Sequence, residues 1–149
     1  MRAQILLLYV SMFFWIFPAA KQYKTELFWF FVVFAVGDPV TVIMAGLVHG
    51  IYRQMNLFFT LLLLLTVLWS FVNRTSIRVL LSAIIGLSLY SFFSSKELMF
   101  YIMIFTHIVI ICLFTLRAFI FTANKGKLNV FHLFLLLEEV SILSKMLAV

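Results

Sequence analysis

The chain has 149 residues, of which 66% are hydrophobic and 11% are charged. A soluble domain typically has about 45–50% apolar and about 25% charged residues, so the composition predicts an integral membrane protein and excludes an ordinary soluble domain. The net charge of +6 comes from lysines and arginines scattered between apolar stretches, which argues against a nucleic-acid-binding patch. The single cysteine, Cys112, excludes an intrachain disulfide and a multi-cysteine metal site.

Apolar stretches separated by short polar clusters define the predicted elements. Five of them, residues 3–20, 27–48, 57–72, 77–93 and 98–122, are predicted to be membrane spans, which need about 20 residues each. A sixth stretch, residues 128–149, is predicted to be a C-terminal helix. The predicted fold is therefore an all-α, polytopic transmembrane helical bundle. We predict that residues 1–149 form one integral membrane domain. It has five spans plus a C-terminal helix that is either interfacial or a sixth span. The lipid bilayer is its predicted partner.

The first stretch has an alternative interpretation. Arg2, an apolar core and then Pro18, Ala19 and Ala20 together imitate a secretory signal peptide. Cleavage after Ala20 would place Pro18 where a small residue is required. We therefore favour a retained helix.

Charge asymmetry predicts the orientation of the bundle. Alternate spans place three cationic residues on the N-terminal side, namely Arg2, Arg53 and Lys96. The other side holds seven: Lys21, Lys24, Arg74, Arg78, Arg117, Lys125 and Lys127. Because cytoplasmic loops carry the excess of positive charge, we expect the N-terminus outside and the loops with Lys21, Arg74 and Lys125 in the cytoplasm. The predicted location is a bacterial inner membrane.

A charge interrupts the second predicted span at Gly37-Asp38-Pro39. The residue before a proline avoids helical geometry, proline favours the first helical position, and aspartate is a strong N-cap. These preferences predict a helix that breaks and restarts, with Asp38 capping the second half. The same geometry would suit an ion or substrate site of a transporter. A third interpretation places the three residues in a turn near a membrane face.

Helical spacing suggests a polar stripe beyond this break. If the helix continues regularly, Asp38, His49 and Arg53 fall on one side, with about 16 Å between the first two residues. We therefore regard these three residues as a candidate intramembrane polar site, connected to the outer face by a hydrated path. The stripe is a line and not a cluster.

Small residues at helical spacing indicate close helix packing. Gly46 and Gly50 form a G-x-x-x-G pattern, and Ser82 with Gly86 forms a looser version. Such pairs let helix backbones approach closely in membranes. We expect them to serve packing within this bundle, with self-association as the alternative.

The C-terminal stretch carries Glu138 and Glu139 at its centre. Central charges cost about 2.5–3.5 kcal/mol each on insertion scales, and the aliphatic and phenylalanine residues of the stretch return about 4–7 kcal/mol in all. Since these values nearly cancel, we favour a helix in the cytoplasmic interface or docked on the bundle over a sixth span. On its wheel His132 and Glu139 share one face and Glu138 lies on another. His132, Glu138 and Glu139 form a candidate interface site.

Motifs for enzymatic chemistry or cofactors are absent from the sequence. The three histidines, His49, His107 and His132, lie on different predicted helices, and no H-E-x-x-H or phosphate-cradling loop occurs. We therefore predict polar contacts between helices, with no catalytic residues, metal or cofactor.

These observations favour a small non-enzymatic accessory or assembly subunit of a larger membrane complex, with a protein partner or a homo-oligomer. The alternative is a small proton- or ion-coupled transporter or channel built around Asp38. An enzyme acting on lipids is a weaker third hypothesis, because it requires His107, His132 and the Glu138–Glu139 pair to gather at one interface.

Overall fold

The computed structural model describes residues 10, 14, 16–25, 27–69, 74–91 and 93–148. In these ranges the secondary structure is helical, with no β-strand, which confirms the all-α prediction for this part of the chain. The helices are α1 (residues 16–21), α2 (Phe28–Leu47), α3 (Tyr52–Leu68), α4 (Arg74–Tyr90), α5 (Lys96–Lys125) and α6 (Val130–Leu147). Most of the predicted first span lies outside the described residues.

The observed helix ends agree closely with the predicted apolar stretch for α2, but not for the start of α3. Residues 27–48 were predicted for α2, which runs from Phe28 to Leu47. The helix α3 begins five residues before its predicted span, at Tyr52, because the polar segment 52–56 is also helical. Apolarity marks the part of a helix that avoids water and not the whole helix.

Two of the described helices, α2 and α5, are long and apolar enough to cross a membrane. The helices α3 and α4 have 17 residues each, or about 25 Å at 1.5 Å per residue, against a hydrocarbon core of about 30 Å. The helix α6 is continuous but contains three charged residues, Glu138, Glu139 and Lys145. The five-span bundle is therefore not confirmed, and two helices meet the requirements for a span.

The chain divides into two compact units, and residues 1–99 form the first. In this unit α3 contacts both α2 and α4. Its core includes Phe30, Phe31 and Leu57, which are at most 1% exposed. The turn between α2 and α3 contains Gly50 at φ 84°, a left-handed conformation in which glycine carries no Cβ penalty. The two helices thereby form a hairpin.

The prediction of a broken helix at Asp38 is wrong, because α2 continues through Gly37, Asp38 and Pro39. Pro39 cannot donate a hydrogen bond to the carbonyl of Ala35, yet apolar helices tolerate such a loss when neighbouring structure compensates. Gly37 serves packing instead of a break. A Cβ atom at this position would lie 3.3 Å from the ring of Phe59 on α3.

The predicted G-x-x-x-G helix face is also wrong. Gly46 lies in α2, but Gly50 lies in the following turn, so the two residues do not share a helix. A Cβ atom added at Gly46 would meet nothing within 4 Å, and the same is true of Gly86 on α4. Ser82 and Gly86 do share α4, where both are exposed and the Ser82 hydroxyl donates to the Arg78 carbonyl at 3.0 Å. Packing through this second pair stays a prediction.

The second unit, residues 100–149, contains most of α5 and all of α6. The connection between them includes Gly126 at φ 63°, and Asn129 caps α6 by accepting a hydrogen bond from the Phe131 amide at 3.0 Å. The core of this unit includes Ile110, Phe114 and Leu135, all 0% exposed. These residues position the polar groups described below.

Candidate functional site

The predicted polar stripe does not form, because its three residues lie on different elements. Asp38 is on α2, His49 is in the turn after it, and Arg53 is on α3. All three residues are exposed. The stripe required one regular helix from residue 38 to residue 53, whereas α2 ends at Leu47. The prediction of a shared helical side is therefore wrong, although Asp38 itself does lie in a polar environment.

Asp38 lines an open cavity of about 160 Å³ between α2 and α3. The other lining residues are Thr41, Val42, Tyr52 and Asn56. Helical periodicity explains this set, because residues three or four apart on one helix share a face. Asp38, Thr41 and Val42 satisfy that spacing on α2, and Tyr52 and Asn56 satisfy it on α3.

The polar groups of this cavity have no partners in the described part of the chain. Neither the Asp38 carboxylate nor the side chains of Thr41, Tyr52 and Asn56 form a hydrogen bond or ion pair there. Thr41 is 2% exposed and lines the cavity from an otherwise buried position. One negative charge and several neutral oxygen atoms therefore converge on a small open volume. This arrangement is suited to a cationic group.

A second polar site lies in the unit formed by residues 100–149. The Nδ1 atom of His107 on α5 lies 2.7 Å from Oε2 of Glu139 on α6. His107 is 4% exposed and Glu139 is 0% exposed. A buried carboxylate is costly unless it is paired, and His107 supplies this partner.

The buried faces of α5 and α6 explain why these residues meet. Buried positions on α6 are His132, Leu135 and Glu139, at intervals of three and four residues. The prediction that His132 and Glu139 share a face is therefore confirmed. Glu138 is only half-buried and lies off that face. His132 contacts Phe121 on α5, with ring centroids 5.6 Å apart.

The pair has one unsatisfied atom. Oε1 of Glu139 is buried and has no hydrogen-bond partner in the described structure. With one oxygen bonded to an imidazole and the whole side chain 0% exposed, the carboxylate is enclosed and not presented to a substrate. The geometry therefore suits a structural link between two helices. It does not place Glu138 with His107 and Glu139, as the lipid-enzyme hypothesis requires.

Metal binding requires several ligands at one place. Within the described ranges, no group of three or more His, Cys, Asp or Glu residues could hold a metal ion. Cys112, the one thiol, is exposed on α5 and reduced.

Sequence patterns did not predict which residues meet in either site. His107 and Glu139 are 32 residues apart, and nothing in either helix specifies which faces meet. The expectation that histidines serve polar contacts between helices is confirmed for His107. Tyr52 and Asn56 were overlooked because they precede the apolar run from which the span was predicted. A signal was present, since both lie at helical spacing in a polar segment directly after the turn.

Comparison of the chain with protein-family models, with curated proteins and with solved structures gave no match.

Proposed function

We propose that the chain is a non-enzymatic integral membrane subunit that assists or assembles a larger membrane complex. The observation that carries this proposal is the exposed apolar surface of the second unit. Large apolar side chains follow one another along the outer sides of α5 and α6: Tyr101, Phe105, Ile108, Leu116, Phe119, Val130, Leu133, Phe134, Leu137 and Val140, each at least 44% exposed. A surface of this extent requires lipid or protein to cover it.

The arrangement of α6 supports docking on the bundle. An interfacial helix needs a broad polar face toward water. On α6, however, Glu139 points inward to His107, while Leu133, Leu137 and Val140 are exposed on the outer side. The hydrogen bond between Glu139 and His107 also offsets part of the free-energy cost of inserting the two central glutamates into a membrane. We propose that α2 and α5 cross the bilayer together with residues 3–20, α3 and α4, and that α6 docks against α5 with lipid or a partner outside it.

The location and orientation belong to the same proposal. The excess of Lys and Arg supports a cytoplasmic position for the loops with Lys21, Arg74 and Lys125, and an outer position for the N-terminus. A bacterial inner membrane is the proposed location.

Native electrophoresis at native expression level tests the subunit proposal. Membranes are extracted in a mild detergent, and the purified chain reconstituted alone in the same detergent provides the matched size standard. We expect the native protein to migrate as a complex well above the standard, whose chain mass is 17.4 kDa. Co-migration of the native protein with the purified monomer would refute the proposal.

The cavity at Asp38 supports a second candidate, a small proton- or ion-coupled transporter or channel. This candidate no longer depends on a broken helix, because Asp38 lies in a continuous α2 and faces an open polar cavity. Intramembrane carboxylates are common in ion and proton pathways. The test is a pH- or potential-driven flux in proteoliposomes, which Asp38→Asn should abolish and Glu97→Gln, at an exposed acid in the first turn of α5, should not. Flux that persists in Asp38→Asn excludes this mechanism.

A further inference from the structure

We infer that the cavity at Asp38 receives a lysine or arginine side chain from a membrane helix of a partner protein. The inference rests on the proposed subunit function and specifies the chemistry of its interface. The cavity residues are Asp38, Thr41 and Val42 on α2 and Tyr52 and Asn56 on α3.

Asp38 carries a charge that no neighbouring group in the described structure balances. Asp38 is an exposed carboxylate within a helix that is long and apolar enough to span a membrane. The nearest cation in sequence on α3, Arg53, forms no ion pair with it, and in the described structure Asp38 has no other hydrogen-bond or charge partner. A charge at such a position requires compensation by an opposite charge or by water. The compensating group must come from outside the described hairpin.

The cavity is accessible from outside the α2–α3 hairpin. Close packing at Gly37, where the Phe59 ring would lie 3.3 Å from a Cβ atom, brings α2 and α3 together beside the cavity. The cavity itself stays open on its outer side, where Val42 is 41% exposed and Tyr52 is 52% exposed. A group carried on a neighbouring helix can therefore reach Asp38 without any movement of this hairpin.

The hydrogen-bond acceptors of the cavity match the donors of a cationic side chain. A lysine ammonium has three N–H donors and a guanidinium has five, and neither has an acceptor. Asp38 supplies a charged acceptor, and the Thr41 hydroxyl and the Asn56 amide oxygen supply neutral acceptors at the same cavity. Val42, which lies one turn from Asp38 on the same face of α2 and is 41% exposed, can pack on an apolar residue of the same partner helix. The cavity thus offers charge complementarity beside an exposed apolar side chain.

A free metal cation fits this cavity less well. Hard cations such as Ca²⁺ take about six to eight oxygen ligands that surround the ion. Here four polar side chains lie on two helices, and the outer side of the cavity is open. A cation attached to a partner helix closes that side with its own backbone and apolar neighbours, so a partner side chain is the better occupant.

A synthetic partner helix provides the test. A polyleucine helix of about 20 residues with one central lysine, and its glutamine counterpart, each carry an acceptor dye. The full chain carries a donor dye at position 127, as Lys127→Cys in a Cys112→Ser background, in uncharged phosphatidylcholine vesicles. We expect energy transfer to show about tenfold tighter binding of the lysine helix than of the glutamine helix, as for one polar pair between helices in lipid. Asp38→Asn should remove this preference, and the control Glu97→Gln should retain it.

Two further measurements separate loss of the Asp38 charge from loss of folding. Circular dichroism verifies that Asp38→Asn has wild-type helix content, and Asp38→Lys should gain preference for a polyleucine helix with a central aspartate. Equal binding of the lysine and glutamine helices, or a preference that survives Asp38→Asn, overturns the inference. Asp38-dependent self-association of the wild-type chain without any peptide also overturns it, since the cation would then come from a second copy.

The failure of this inference is distinguishable from failure of the proposed function. A native complex that persists, together with no preference for the lysine helix, excludes the cationic partner and leaves the subunit proposal intact. A native monomer excludes the subunit proposal whatever the synthetic helices do.

Discussion

Nδ1 of His107 and Oε2 of Glu139 lie 2.7 Å apart, across 32 residues of sequence, and both side chains are buried. This contact joins α5 to α6. Because the sequence of α6 predicts nearly equal costs and gains of membrane insertion, we expect its position to depend on the partner of its central carboxylate.

Removing the carboxylate should loosen α6 more than removing its neighbour. We expect Glu139→Ala to lower the free energy of unfolding by about 1–3 kcal/mol, because His107 is left buried without its hydrogen-bond partner. The matched variant Glu138→Ala, at a half-buried position with no contact to His107, should change it much less. Thermal unfolding in mild detergent, followed by circular dichroism, measures both effects. Equal losses in the two variants would contradict a specific role of the pair.

A double substitution refines this prediction. Replacing both partners, as His107→Leu with Glu139→Leu, leaves no buried group unsatisfied. We therefore expect the double variant to be more stable than the sum of the single losses predicts. Strict additivity would show that the two side chains contribute independently.

Gly37 offers a test of the α2–α3 packing. A valine here places carbon atoms against the Phe59 ring, where even a Cβ would lie at 3.3 Å, so we expect Gly37→Val to cost about 1–3 kcal/mol through overpacking. Gly46→Val in the same helix is the control, because nothing lies within 4 Å of a Cβ at that position. The measurement is again thermal unfolding. A loss at Gly46 as large as that at Gly37 would show that glycine in α2 matters for another reason.

Cys112 can report whether α5 lies in lipid. It is exposed on α5, about midway between the two ends of the helix, and a charged reagent does not enter the hydrocarbon layer from water. In intact membranes we expect a charged maleimide to leave Cys112 unmodified, and to modify it after denaturation in dodecyl sulfate. The control cysteine, Lys127→Cys in a Cys112→Ser background, is at an exposed position after α5 and should react in open membrane vesicles. Rapid reaction of Cys112 in intact membranes would contradict a spanning α5.

Sequence periodicity and apolarity were sufficient to predict the positions of the helices. The prediction of residues 27–48 agrees with α2, since a long apolar run leaves the backbone no alternative to internal hydrogen bonds. The same reasoning failed at Gly37-Asp38-Pro39, where local preferences for a break were overridden by the surrounding helix. These preferences describe short peptides, whereas in the folded chain α2 also packs against α3.

The sites were less predictable for a geometric reason. The shared face of His132 and Glu139 follows from 100° per residue on one helix, and it was predicted. The pairing of Glu139 with His107, and the placement of Asp38 and Asn56 at one cavity, depend on which faces of two helices meet. That choice is made by packing over many residues, such as Gly37 against Phe59, and no single motif records it.

If α5 crosses the bilayer, as we propose, its length has a consequence at the membrane surface. Its 30 residues give a rod of about 45 Å, which exceeds a hydrocarbon layer of about 30 Å by about half. Inclination alone would have to reach about 48° to hide the excess, beyond the usual limit of about 40°. One or more turns must therefore stand clear of the acyl chains. If the end outside the acyl chains is the one that carries Lys125, the connection to α6 lies in the headgroup layer. The N-terminus of α6 then lies outside the hydrocarbon core.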